Sequence, residues 1–541
     1  MVRLPPKKSK QKQVVINFTS IESAKSSAPQ DYDHESWLEE GIKQEEQGER
    51  YQFGAKTTRH YSNAVISFSI AASLNSTDFD SRYNAARVLY RLATDHLPPG
   101  EALDALGKAI LGYREAVQVA GEENTMARID GLFNLAQAQV ALFEMLEEAA
   151  VAGVAEGTGL AAAKEAKELF VQVEALQRIE MEKIFGSETS SNEEQEQEET
   201  MEGGEGKGGS EGVRATETVI VTPRLLLDTL LESISLDMSL HSSLSNDPAS
   251  QAHLLESAKR TFDRAVSLRT TYLSDAPPEV DVEMTLAQFS IFSAPSSPEA
   301  TPVLEQALST TTSPSPSLLS VYADHLVESL PFSQTFEVLG SQLERALSTY
   351  QQVQSLLTNR LSPPKDVPSY QIPLLLSANL LAQSTVHLLS YHIVQNSPSN
   401  DPSSAAQRLL EAHSLALESI SALKSGLSLT PSSTSSNLAL VRAPGSQEPL
   451  SNMSTLLALR SSYFSLVRIR LRNADSTEKL DDERKRFWSV WNALTRNLRS
   501  DEELKRGDLK WWISEMEEDK IAECLGVEKA SKEVEWWTTL L

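Results

Sequence analysis

A short spacing pattern recurs through the chain and constrains its fold more than any other feature of the sequence. The stretch AVISFSIA, residues 64–71, carries an alanine, an aromatic residue four positions later and an alanine three positions after that. Four further stretches repeat the spacing, with alanine or valine at the last position. The positions are Ala64, Phe68, Ala71, Ala109, Tyr113, Ala116, Ala166, Phe170, Val173, Ala258, Phe262, Ala265, Ala346, Tyr350 and Val353. A sixth match, Ala86-Tyr90-Ala93, falls on the other helix of a predicted pair. Composition alone gives roughly one such match in a chain of this length, so the pattern indicates an internal repeat.

The spacing places these side chains on one face of an α-helix, where a small residue lets a second helix approach closely. The pattern resembles helix B of the tetratricopeptide repeat (TPR), in which the aromatic side chain fills the groove to the next unit. Preceding segments resemble helix A of the same family. WLEEGI (37–42) has Trp37 and Gly41 at the family's spacing, and DGLFNLAQAQVAL (130–142) has the family's small residue after its asparagine. The resemblance implies helical pairs stacked into a superhelix.

The repeats are longer than those of the family. The aromatic positions follow one another at intervals of 45, 57, 92 and 88 residues, whereas a TPR unit has about 34 residues. Loops and helices must therefore be longer than usual. No segment alternates in the manner of a β-strand. The predicted fold class is all-α, a TPR-like α-α superhelix (a solenoid of helical pairs) with long disordered insertions.

Composition divides the chain into six segments. Serine, proline and charge runs mark the predicted boundaries: a basic disordered tail (1–33), TPR-like helical pairs (34–185), an acidic disordered insertion (186–217), degenerate repeats with a Ser/Pro-rich loop at 293–317 (218–424), a linker (425–451) and tryptophan-rich capping helices (452–541). The predicted helical pairs are 35–50 with 60–74, 79–95 with 100–120, 125–150 with 159–185, 222–245 with 248–272, 318–330 with 336–358, 371–396 with 403–424, and 452–473 with 480–498.

Net charge and cysteine content limit the partners and the compartment. The net charge of −26 makes nucleic acid an unfavourable partner and a basic protein a favourable one. The single Cys524 cannot form an internal disulfide, which favours the cytoplasm or the nucleus. No apolar run approaches 18 residues, so no membrane span is expected.

No motif in the sequence carries catalytic or cofactor chemistry. The closest histidine pair, His387 and His392, is five residues apart and therefore on different helix faces. The glycine-rich stretch GGEGKGG (203–209) lacks the serine or threonine and the preceding strand of a P-loop. We therefore expect a protein that is not an enzyme, has no cofactor or metal, and does not bind a small molecule.

The expected function is that of a scaffold or adaptor whose concave face binds a protein or peptide. Candidate partner-binding residues lie on the A helices: Asn84, Arg87, Asn134 and Gln137. The alternative is a dedicated acidic chaperone for a basic client such as a histone or a ribosomal protein. In that case the glutamate-rich insertion, with nine glutamates in 186–212, would screen the client.

Six of the seven tryptophans lie in the last 60 residues. They are expected to pack the terminal helices onto the solenoid, and the alternative is an aromatic anchor for a partner. Each adjacent pair, Trp511–Trp512 and Trp536–Trp537, is expected to leave at least one ring exposed, because neighbours on one helix point in different directions. The basic run 481–506 is interpreted as a solvated face or an intramolecular partner for the acidic surface.

Overall fold

The structure is a computed structural model. It describes residues 32–51, 54–97, 99–151, 159–185, 221–244, 247–294, 300–311, 315–332, 334–359, 372–397, 401–428, 452–474, 476–495, 502–525 and 527–541. The predicted basic tail (apart from its last two residues), the acidic insertion and most of the linker 425–451 lie outside these ranges.

The described residues form nineteen α-helices and no strand. Their bounds are α1 His34–Tyr51, α2 Gly54–Leu74, α3 Phe79–Arg91, α4 Pro99–Ala120, α5 Thr125–Val151, α6 Gly159–Phe185, α7 Pro223–Ser243, α8 Pro248–Tyr272, α9 Pro278–Ser293, α10 Ala300–Thr310, α11 Pro316–Glu328, α12 Phe336–Thr358, α13 Ile372–Asn396, α14 Pro402–Ser428, α15 Asn452–Arg472, α16 Thr477–Thr495, α17 Glu502–Glu518, α18 Lys520–Leu525 and α19 Val527–Thr538. The prediction of an all-α fold is confirmed.

Local sequence signals fix where several of these helices begin. Thr222, Asp247 and Ser315 each accept a hydrogen bond from a backbone N–H of the first turn, and each is followed by a proline at the start of the helix. A side-chain cap satisfies a free N–H group, and proline has no N–H to leave unpaired. Asp78 caps α3 in the same way.

The helices pack in chain order, as in an α-solenoid. Each helix from α1 to α15 contacts the next one along the chain, and α9 contacts α7 as well as α8 and α10. The odd-numbered helices also contact one another: α3 with α5, α7 with α9, α9 with α11, α11 with α13, and α13 with α15. From α7 to α15 these odd–odd contacts build one layer of helices, and Gln137 of α5 joins it through a hydrogen bond to Glu232 of α7.

The interior consists of two main hydrophobic cores with α9 between them. The first core runs from Tyr61 to Met284 and the second from Leu304 to Leu540. Met284 of α9 belongs to the first core, whereas Leu286 and Phe289 of the same helix pack against the second. Helix α9 is therefore buried on two sides and joins the two halves.

The C-terminal helices return to the N-terminal half. Helix α17 lies against α5, and α15 lies against a single π-helical turn, Leu92–His96, that extends α3. The first and last parts of the array are therefore neighbours in space.

The repeat positions are almost all in the interior. Phe262 is half-buried and the other fourteen positions are buried. Helices α1 and α2 approach each other most closely at Gly41, where an added Cβ atom would lie 2.5 Å from the Phe68 ring. Glycine is therefore required at position 41 by packing against the neighbouring helix.

Three sequence predictions are wrong in part. The loop predicted at 293–317 contains the helix α10, and α9 was also missed, so an extra pair stands between α8 and α11. The linker predicted from 425 begins later, because α14 continues to Ser428. One described helix, α13, is long and apolar enough to cross a membrane by length and composition, although no such segment was expected. Half of its most apolar window is buried within the protein, as in the core helix of a helical array.

Candidate functional site

A groove runs along the layer of odd-numbered helices. Its largest part is a cavity of about 790 Å³ between α7, α9 and the end of α11. A cavity of about 130 Å³ adjoins it toward α3 and α5, and one of about 390 Å³ adjoins it toward α13 and α15. Almost all lining residues come from odd-numbered helices, and Tyr350 of α12 is an exception.

The three cavities share wall residues and therefore adjoin one another. Glu232, Ser235 and Ser239 of α7 line both the smallest and the largest cavity. Glu328 of α11 lines both the largest and the third. We call this row of adjoining cavities the acidic groove, after the carboxylates that line it.

Six carboxylates line the acidic groove. They are Glu144, Asp228, Glu232, Glu283, Asp324 and Glu328. Among the described residues that line its three cavities, Arg224 is the only lysine or arginine. Arg224 is paired with Asp228 at 2.9 Å and with Glu283 at 2.7 Å. The groove therefore presents a surplus of negative charge.

Two pairs of these acids repeat one spacing. Asp228 and Glu232 lie one turn apart on α7, and Asp324 and Glu328 lie one turn apart on α11. Like charges at this spacing face the same side of a helix and destabilise it by roughly 0.2–0.5 kcal/mol. The spacing puts carboxylates side by side along the groove wall, at a small cost to the helices.

Burial disfavours the charged form of most groove carboxylates. It raises the pKa of Glu144, and the nearby Glu232 carboxylate raises it further. Burial likewise raises the pKa of Glu328, with Asp324 adding to the rise and Lys520 of α18 opposing it. Yet Glu144, Asp324 and Glu328 are exposed to water. A carboxylate that water reaches although protein surrounds it lies in a recess. A cation placed there would offset both the repulsion between the carboxylates and the energetic cost of their desolvation.

Only one of the four predicted partner-binding residues lines the groove. Gln137 lines its smallest cavity and hydrogen-bonds Glu232. Arg87 donates to Glu45 at 2.9 Å and to Asn84 at 3.1 Å. Asn134 donates to the Tyr83 hydroxyl at 2.9 Å. Arg87 and Asn134 thus join neighbouring odd-numbered helices, and Asn84 accepts a hydrogen bond from Arg87 within α3.

Sequence reasoning did not identify the six groove carboxylates. The available signal was a pair of acidic residues four positions apart on α7 and a second such pair on α11. Both helices are the first of their predicted helical pairs. In an acidic chain such pairs are common, and only the packing of α7, α9 and α11 shows that they face one space.

The residues considered for metal or thiol chemistry have structural surroundings. Among the described residues no group of three or more acidic, histidine or cysteine side chains is placed to hold a metal ion. His387 Nδ1 lies 3.0 Å from Glu411, and His392 is buried beside Tyr391. Burial raises the pKa of Cys524 to about 11, so its thiol stays protonated near neutral pH.

The C-terminal tryptophans pack against the helices rather than project from them. Trp491, Trp512, Trp536 and Trp537 are buried in the second core around Phe464. The expectation that each adjacent pair leaves a ring exposed is wrong for Trp536–Trp537, because both sides of α19 are covered. In the other pair Trp511 is half-buried, and the Arg460 guanidinium lies 3.5 Å from the centre of its ring. The basic run 481–506 mostly pairs locally, as in Arg484 with Asp481.

Comparison with known proteins gives no relative: no family model and no curated protein matches this chain.

Proposed function

We propose that this protein is a non-enzymatic scaffold of the TPR-like type, acting in the cytoplasm or the nucleus, in which the acidic groove binds a segment of a partner protein. The observation that carries the proposal is the row of adjoining cavities across α5, α7, α9, α11 and α13. A space that crosses several helices suits an extended chain better than a small molecule. The length and the paired helices of the array provide a rigid frame for it.

Site-specific photo-crosslinking tests this function. A photoreactive residue is placed in the full chain at Ser239 or Ser290, which line the groove. The matched controls place it at Leu111 or Leu410, which are 57% and 68% exposed on the even-numbered helices α4 and α14. We expect partner proteins to be crosslinked from the groove positions and not from the controls. Crosslinking from the controls alone would place binding on another surface.

A second candidate function is that of a dedicated chaperone for a basic client. The surplus of carboxylates in the groove favours it. Electrostatic capture weakens steeply with salt, so client binding should fall with ionic strength. A loss of binding on deletion of 187–212 would assign the capture to the acidic insertion, and unchanged binding would contradict the chaperone alternative.

A further inference from the structure

We infer that the occupant of the acidic groove is a lysine- or arginine-rich segment of a protein, bound in an extended conformation across α7, α9, α11 and α13. The inference rests on the proposed function, since it names the chemistry of the partner that the groove binds. Three features of the groove support it: its charge, its apolar floor and its length.

The first feature is the arrangement of charge. The carboxylates are distributed along the groove rather than gathered at one point: Glu144 and Glu232 at one end, Glu283 in the middle, and Asp324 and Glu328 at the other end. Burial raises the pKa of Glu144 and Glu328, and repulsion from the neighbouring carboxylate in each end group raises it further. A row of cations on the partner would remove this repulsion at each step along the groove.

The second feature is the apolar surface between the carboxylates. Leu231 and Met238 of α7 and Leu286 and Ala287 of α9 line the largest cavity, and all four are half-buried. Lysine and arginine have aliphatic stems that pack on apolar surface while their charged ends reach a polar group. A cavity with an apolar floor and acidic walls matches both parts of such a side chain.

The third feature is length. Packed helices lie about 8–10 Å apart, so the three steps from α7 to α13 span about 30 Å. An extended chain advances about 3.3 Å per residue, and about nine residues therefore cover this distance. Short basic segments of this length exist in many proteins, including the KKSKQK stretch of this chain's own residues 7–12.

The test is a binding measurement with a defined probe, a fluorescently labelled peptide of nine lysines. The groove variant of the full chain is E144Q/E232Q/E328Q. It removes three charges without changing shape and leaves the two Arg224 ion pairs intact. The matched control is E168Q/E182Q/E344Q, which removes three exposed carboxylates on the even-numbered helices α6 and α12.

We expect the groove variant to bind the lysine peptide at least tenfold more weakly than the unaltered chain, and the control to change less than twofold. Equal losses in the two variants would overturn the inference, because they would reduce the binding to attraction by the overall charge. A chain lacking residues 1–31 is measured in parallel. Tighter peptide binding by that chain would identify its own basic tail as an occupant and would support the inference.

The outcome for the proposed function is separate. If groove positions crosslink a partner through a segment without lysine or arginine, the scaffold function stands and this inference fails. If only Leu111 and Leu410 crosslink a partner, both fail.

Discussion

The C-terminal helices are held by an ion network whose loss has a calculable effect. Glu533 of α19 accepts a hydrogen bond from Arg468 Nε of α15 at 2.8 Å, and it also pairs with Arg472. Arg468 pairs in addition with Asp519. The side chains of Arg468 and Glu533 are only 2% and 3% exposed. Replacing Glu533 by glutamine therefore leaves a buried guanidinium with half of its counter-charge.

The expected cost follows from the burial. Breaking a buried ion pair by removing one partner costs about 3–5 kcal/mol, chiefly because a charge stays behind without compensation. Asp519 remains beside Arg468, so the lower figure, about 3 kcal/mol, applies. A tenfold change corresponds to about 1.4 kcal/mol, and local opening of α15–α19 should become about 100-fold more frequent.

Hydrogen exchange of the backbone amides measures this opening helix by helix. E533Q should lose about 100-fold in protection across α15 and α19, with α1 and α2 unchanged. The control is E535Q, an exposed position on the same helix, which should change protection less than twofold. If E533Q also changed the protection less than twofold, the reasoning would be refuted. A double variant R468M/E533L tests the mechanism. It should recover part of the protection, because it removes the two most buried charges but leaves Arg472 and Asp519, whose side chains are 16% and 31% exposed, without these partners.

Three further predictions concern other parts of the chain. G41A should lower the free energy of unfolding by about 1–3 kcal/mol, because its Cβ would lie 2.5 Å from the Phe68 ring; G107A, whose Cβ would meet nothing within 4 Å, should not. Both are measured by thermal unfolding followed by circular dichroism. The groove variant should unfold at the same or a higher temperature than the unaltered chain, since it removes repulsion. In the folded protein the pKa values of the groove carboxylates are raised, so these groups contribute stability that is fully present below about pH 4.5 and is lost as the pH rises above it. Above pH 4.5 the free energy of unfolding of the groove variant should therefore depend less on pH than that of the unaltered chain. Burial lowers the pKa of His392 from 6.5 to about 3. The unfolded chain thus takes up a proton that the folded chain excludes, and stability should fall below pH 6.5 by at most about 1.4 kcal/mol per pH unit; H392L should reduce this slope in urea unfolding measured from pH 7 to 5.

The sequence predicts helices well where the signal is local. The spacing of Ala64, Phe68 and Ala71, and the caps and prolines before α7 and α8, depend only on neighbours within a few turns, so these helices are recognisable without the fold. Helix α9 was missed because its apolar residues are spread around the helix. Met284 packs into one core and Phe289 against the other, so no single apolar face exists to be recognised.

The groove was beyond sequence reasoning for a related reason. Glu144, Glu232 and Glu328 lie on three different helices, separated by 88 and 96 positions, and only packing brings them to one space. For the Trp536–Trp537 pair, the sequence predicted more exposure than the structure shows. The rule that adjacent residues point apart holds for α19, but neighbours cover both directions, and the sequence alone does not show how many neighbours a helix has.

The central claim is that a basic segment lies in the acidic groove, and its most direct test is a hydrogen-exchange footprint of the full chain with the nine-lysine peptide bound. We predict slower exchange in the groove-lining parts of α7, α9, α11 and α13, with the even-numbered helices α4 and α6 unchanged. Slower exchange confined to residues 186–217, or spread evenly over exposed acidic surface, would contradict it.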